Sequence, residues 1–389
     1  MKPIYLISLC VALITVACQQ TKEPTIESTI INIDLTENIV EKSTPVNLSN
    51  VASEVEYIAL ENNSNCILLG SRIFVFDSLL VCPGFRQIYI FNRYTGKFVR
   101  EVGEKGRGPQ AYWNVNHYVH LDKDRGIIIN TGGWTYSLIE FSPDGEIKGK
   151  VNLEKRASFA TKLKGDLYAA YYRNFTGQEK ERIVIWDNNE KNVVKRFKNY
   201  RTCENDPKQF THLPYEGWFY YYNEELMFKE YFCDTVYKLS EEKMTPHIIL
   251  NSGEYRPPYE ERELFNSWEY HGLSYIMETN SYLFFKLNFD KKSYYCYYDK
   301  RRSELKISRP DEKNKKNAGL VNDIDGFVRF APESITKDNE IVGHIEAYQL
   351  VKWMNDNPDK VANLPDHLKK FKDIKDADNP IVMIAKLKK

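Results

Sequence analysis

The 389-residue sequence predicts an all-β fold, a closed ring of six antiparallel blades, on three observations. The first is a repeat: five segments share an apolar run closed by Asn, Ser or Asp, then a polar turn, then a second strand. They are IYIFN-RYTGKFVREVG, LIEFS-PDGEIKGKVNL, IVIWD-NNEKNVVKRF, VYKLS-EEKMTPHIIL and YCYYD-KRRSELKIS. The second is spacing: the closing residues Asn92, Ser142, Asp187, Ser240 and Asp299 are 50, 45, 53 and 59 residues apart, the span of a four-stranded blade. The third is composition, since 27 Tyr and 20 Phe suit a pleated, half-buried surface better than long helices.

Met1–Cys18 opens with Lys2, runs apolar from Ile4 and ends Val-Ala-Cys. The run is too short to span a bilayer and has the proportions of a signal-peptide core. A small residue before cysteine resembles a bacterial lipobox, although Thr15 stands where leucine is usual. The expected organisation is a lipoprotein signal over 1–18, a tether over 19–45 beginning with polar Gln19–Glu27, and a six-bladed propeller over 46–389. Cleavage before Cys18 would place a lipid on its thiol, anchoring the chain in the cell envelope on the outer membrane or a periplasmic face. A secretory signal cut nearby is the alternative. Cys66, Cys82, Cys203, Cys233 and Cys296 remain, an odd set without a C-x-x-C pair, so a monomer, the expected state, keeps at least one free thiol.

Val55–Leu60 is a strand that stands apart from the repeats. Each repeat is a hairpin, with apolar alternation supplying strands and Thr-Gly, Asp-Gly or Asn-Asn supplying turns. Further strands over Ile73–Val81, Gly126–Asn130, Asp166–Tyr172, Glu225–Lys229 and Tyr282–Asn288 extend the hairpins to blades. A sixth blade is expected from Gly326–Phe330 with material from both ends, including the strand Ile381–Leu387, so that terminal strands close the ring and protect its edges. Pro258–Tyr270 and His344–Met354 carry helical spacing and are expected to pack on the ring.

Five short motifs occur in order: Asn47-Leu-Ser-Asn followed by VEYIAL, Gly106-Arg-Gly-Pro-Gln-Ala-Tyr112, Asp234-Thr-Val-Tyr-Lys-Leu239, Asn322-Asp-Ile-Asp-Gly326 and Asp378-Asn-Pro-Ile-Val382. With them the chain resembles the six-bladed β-propeller lipoproteins common in Bacteroidetes, related in architecture to NHL-type propellers. That family's corner reads Gly-x-Gly-Pro-Gly-Glu-Tyr. Gln110 and Ala111 replace its second glycine and its acid, so any role of that carboxylate is absent here. The resemblance implies a fold and an envelope location and no particular reaction.

Charge excludes one class: 54 basic and 54 acidic residues without a basic stripe do not describe a nucleic-acid binder. The glycines of Gly103–Tyr112 open no helix, so they suit a blade-to-blade corner rather than a phosphate cradle. His117 and His120, three apart on a strand, face opposite sides and cannot share an ion, and His212, His247, His271, His344 and His367 are scattered. Asn322, Asp323 and Asp325 beside Gly326 are hard oxygen ligands, which makes calcium the one cofactor the sequence suggests; a turn held by Asx hydrogen bonds is the alternative. The aromatic runs Trp218–Tyr222 and Tyr294–Tyr298 read as core, with Tyr294, Cys296 and Tyr298 on one strand face, and Lys313–Lys316 as a solvated connection. Ligand contact falls instead to Arg107, Tyr112, Trp113, Trp134 and Tyr255 at corners and loops.

No Ser-His-Asp order, nucleophile elbow or paired-carboxylate motif is recognisable. The leading expectation is a non-catalytic binding or scaffolding module for an envelope glycan, peptide or protein. The second is a calcium-dependent hydrolase or lyase with its site at the central channel.

Overall fold

In a computed structural model, each repeat closes on the polar residue that ends its apolar run. Asn92 Oδ1 accepts from the backbone N–H of Tyr94 (2.9 Å) and Thr95 (3.0 Å). Asp187 does the same for Asn189 and Glu190, Asp299 for Arg301 and Arg302, and Ser240 Oγ for Glu242 and Lys243. The structure describes residues 30–388 apart from 69–71, 85–86, 107–110, 113–118, 123–125, 131–134, 143, 204–215, 261, 263–266 and 312–317.

Six antiparallel four-stranded units follow. Blade 1 is Phe74–Phe76, Leu79–Pro83, Ile88–Asn92 and Phe98–Val102. Blade 2 is Val119–Asp122, Gly126–Asn130, Thr135–Phe141 and Ile147–Ala157. Blade 3 is Phe159–Lys164, Leu167–Tyr171, Glu181–Asp187 and Asn192–Lys198. Blade 4 is Gly217–Tyr222, Glu225–Glu230, Thr235–Leu239 and Met244–Asn251, and blade 5 is Gly272–Glu278, Tyr282–Phe289, Lys292–Asp299 and Glu304–Ser308. Blade 6 joins Ser334–Ile335, Glu340–Ile345 and Ile381–Leu387 to the N-terminal strand Ala52–Ala59, which pairs with Ile381–Leu387 and closes the ring. The fold is thus an all-β six-bladed propeller with a few peripheral helices.

The core sits in the seams between blades. Ile183 and Ile185 pack toward blade 4, whereas Val184 between them packs toward blade 2, because alternate side chains leave opposite faces of a strand. With both faces buried, such strands read as continuous apolar runs. Tyr294, Cys296 and Tyr298 likewise face blade 4 while Tyr297 faces blade 6. Buried polar clasps also cross the seams: Arg93 to Glu340 (2.7 Å) between blades 1 and 6, Tyr168 to Glu140 (2.7 Å) between 3 and 2, and Arg182 to Glu230 between 3 and 4.

Strand alternation sorts the connections into two ends. First-to-second and third-to-fourth turns lie at what we term the hairpin end; second-to-third and blade-to-blade connections lie at the loop end. Hairpin-end turns are short, and six of the eight described non-glycine residues with positive φ fall in them: Asp77, Lys191, Asn223, Glu224, Ser303 and Asn339. Loop-end connections include 199–216, 252–271, 309–333 and 346–380, the last holding helices Ala347–Asp356 and Pro358–Ala362.

Five boundaries differ from the sequence reading, and the first is Ile73–Val81, which is a hairpin of Phe74–Phe76 and Leu79–Pro83 rather than one strand. Residues assigned to the tether are part of the fold: Ile31–Asp34 pairs parallel with Met244–Asn251 as a fifth strand of blade 4, and Thr44 and Asn47 bridge to Ser308 and Val321 on the way to blade 6. Ile31, Ile33 and Leu35 alternate as a strand does, but the partner strand lies more than 200 residues away, so nothing local marks the pairing. Gly326–Phe330 forms no blade strand; Phe330 bridges Leu320, and Ser334–Ile335 takes the inner position. The second helix begins at Ala347, since His344 and Ile345 still pair in blade 6. Around the first, the described residues 259–260, 262 and 267–270 form turns and bends, and 261 and 263–266 lie outside the described residues. All five cysteines from Cys66 onward are buried and free of disulfides.

Candidate functional site

The loop end gathers most of the sequence-selected residues, with different fates. Gly103 has φ +66°, and a Cβ there would meet the Phe141 ring at 2.6 Å, so the corner admits only glycine. Tyr112, which ends the corner, is fully buried and donates from its hydroxyl to Val102 O (2.6 Å). It holds the corner from within and does not face a ligand. Arg107, Trp113, Trp134, His117 and Lys313–Lys316 lie outside the described residues, as does Cys18; His120 is on a strand whose side chain there is not described.

Asn322, Asp323 and Asp325 come together with donors from the N-terminal segment. Tyr57 donates to Asp325 Oδ2 (2.7 Å), Asn322 Nδ2 donates to Tyr57 Oη (2.7 Å) and Asp325 Oδ1 (2.8 Å), and Phe327 N–H caps Asp325 Oδ1 (3.1 Å). Asp323 accepts from Ser49 N (3.0 Å) and Ser49 Oγ (2.5 Å). Burial and the Asp325 charge push the Tyr57 hydroxyl far above its ordinary pKa, so it remains a donor. A cation here would have to displace those donors. Among the described residues, no three His, Cys, Asp or Glu side chains gather as a metal site.

Tyr255, in the turn Gly253–Tyr255, is the selected residue that packs against a cleft-lining side chain. Its ring stacks on His271 at 4.7 Å between centroids, and Phe289 meets both edge-on. His271 immediately precedes the first strand of blade 5 and lines a cleft with Lys229, Tyr231, Asp234 and Ser252. Lys229 Nζ donates to the carbonyls of Glu230 and Cys233 (both 2.5 Å), and burial draws its pKa down to about 8. Desolvation raises Asp234. His271 is 3% exposed, neither ring nitrogen has a hydrogen-bond partner, and burial lowers its pKa to about 4. Nearby, Glu216 and Arg262 form a buried pair, Arg262 donates to Asn174 O (2.6 Å), and Asn174 donates to Tyr259 Oη (2.6 Å). Sequence reasoning missed this group because its members come from four separated connections, and no local spacing marks His271.

At the hairpin end of the same seam, Glu278 has a fully buried carboxylate. It accepts from Lys300 Nζ (2.6 Å) and Tyr220 Oη (3.1 Å) and meets His247 Nε2 at 2.9 and 3.0 Å. Lys300 also lies over the Tyr222 ring at 4.3 Å. This cluster ties blade 4 to blade 5.

Among solved structures, an exported protein from Bacteroides fragilis is similar, with a TM-score of 0.68 and 18% identity over 93% of this chain and 100% of that one. A member of the duf4221 family from Bacteroides vulgatus aligns with a TM-score of 0.48 and 10% identity, over 87% of this chain and 98% of that one. No curated protein matches. The family model described as "Domain of unknown function (DUF4934)" matches residues 30–386, almost the whole described fold, and the chain belongs to that family.

Proposed function

We propose that this chain is an exported, lipid-anchored propeller that binds an envelope glycan, peptide or protein through the loop end of its ring, without catalysis. The observation that carries this reading is the division of labour between the two ends. Short turns close one end, while long connections, the half-buried Tyr255 and the cleft beside it occupy the other. Loops placed by a rigid scaffold are where binding residues concentrate. The strand Ile31–Asp34 runs parallel to Met244–Asn251, from the hairpin end toward the loop end. An anchor at Cys18 would then leave the loop end on the side away from the membrane. The exported relative from Bacteroides fragilis supports the envelope location.

The binding test is thermal unfolding of residues 24–389 against envelope glycans, peptides and proteins, with calcium and with chelator. A concentration-dependent rise with one ligand class and no change on chelation is expected. A large loss on chelation that Asp323→Ala removes would instead establish a metal site at 322–325. For the anchor, Cys18→Ala should abolish fatty-acid labelling and release the protein from the membrane fraction; persistent labelling would overturn it.

A further inference from the structure

The cleft between blades 4 and 5 combines unmet hydrogen-bonding capacity with balanced charge. A neutral imidazole offers one donor and one acceptor, and in His271 both are buried and unpartnered. Asp234 and Lys229 bring one charge of each sign, and Ser252 and Tyr231 bring hydroxyls. Leu273 and Leu287 form apolar wall. The free space is about 260 Å³ with the open mouth included, and the room inside is about 10 Å³, enough for a single water-sized group.

We propose that this cleft receives one hydroxyl group of a neutral sugar, with His271 as its hydrogen-bond partner. This rests on the reading of the chain as a binding module and names its ligand class. A hydroxyl both donates and accepts, so it complements whichever ring nitrogen faces the cleft. With one lining charge of each sign, Lys229 and Asp234, the cleft offers no net charge to attract a cation or an anion. The sugar ring, too large for the room inside, stays outside it, and the proline and leucines of the lining offer apolar surface of the kind a sugar's C–H faces pack against. Burial keeps His271 uncharged near neutral pH, which preserves the acceptor.

The experiment titrates residues 24–389, which contain the whole described fold, with glucose, galactose, mannose and N-acetylglucosamine. Glycerol and acetate serve as small-polyol and anion controls, and the His271 ring resonances are followed by ¹⁵N NMR beside calorimetry. A saturable shift of His271 with at least one sugar is expected. His271→Phe should weaken that sugar at least tenfold, and Ser252→Ala, a milder change that keeps the fold if His271→Phe does not, at least threefold. His247→Phe, at the far end of the seam, should leave the affinity unchanged. Absence of any sugar-induced shift, an equal response to glycerol, or undiminished binding by both cleft variants would overturn the inference. A peptide or protein ligand found in the wider screen, with no sugar at the cleft, would sink this inference and leave the binding-module reading standing.

Discussion

The seam between blades 4 and 5 carries a histidine toward each end, and the two are in opposite states. His247 meets both oxygens of Glu278, a carboxylate that Lys300 and Tyr220 also satisfy. His271 is stacked on Tyr255 beside Phe289 with both nitrogens unpartnered. The same two sheets therefore use buried polarity in two ways. At the hairpin end it is spent on holding blades together, and the turns there are too short to present anything else. At the loop end capacity is left open, which is what a recognition surface needs and what a purely structural seam would avoid.

The largest test of that contrast is Glu278→Ala. It strands Lys300 and His247 beside a buried void without their anion, and breaking a buried ion pair from one side costs about 3–5 kcal/mol. The urea midpoint should fall accordingly, without a change in the slope. A loss below about 1 kcal/mol, the range of exposed ion pairs, would mean that solvent screens the cluster and that the two ends are alike.

The ring was legible in sequence and the contrast was not, for one physical reason. Blades are local: Asn92, Asp187, Ser240 and Asp299 each cap a turn two or three residues on, so their spacing exposes the period. Both sites are assembled across blades. Glu278 meets His247 across 31 residues, and His271 shares its cleft with Lys229 and with Leu35 of the N-terminal segment. Tyr255 was selected for its place in a connection and stacks on the cleft-lining His271, whereas Tyr112 is buried, because a corner aromatic can turn inward as readily as outward. The Asn-Asp-x-Asp-Gly signal was real as a turn, but its donors, Ser49 and Tyr57, come from the far end of the chain.

Acid should find the loop end first. His271 titrates near 4 in the fold against about 6.5 in an unfolded chain, so the fold disfavours its proton. Its contribution is complete above pH 6.5 and is lost as pH falls toward 4, on the order of 3 kcal/mol over that window. Of the charged groups that share the cleft, Lys229 stays protonated throughout this window, and Asp234, raised by desolvation, takes up its proton early and acts against the loss. His344 acts in the other direction. Burial alone would lower its pKa, but Glu333 and Glu346 outweigh burial and raise it to about 10, so its contribution is present below pH 6.5 and fades as pH rises through 10. A stability profile flat from pH 6.5 to 4.5 would show that His271 has an undetected partner.

The smallest effects come from making one substitution twice. His247→Phe keeps a ring against Tyr222 but removes one partner from Glu278, which retains Lys300 and Tyr220. A loss of about 1.5–3 kcal/mol is expected, the worth of a hydrogen bond to a charged group. His271→Phe keeps the ring against Tyr255 and deletes two unpartnered nitrogens, so the ligand-free protein should be unchanged or more stable by up to about 1–3 kcal/mol. It should also remove the acid limb between pH 6.5 and 4 that His271 supplies. Opposite signs in the two melting curves would establish that one histidine serves the fold and the other is held in readiness against it. Equal losses would mean that both nitrogens of His271 are already engaged, and the distinction between the two ends would fail at the residue that best defines it.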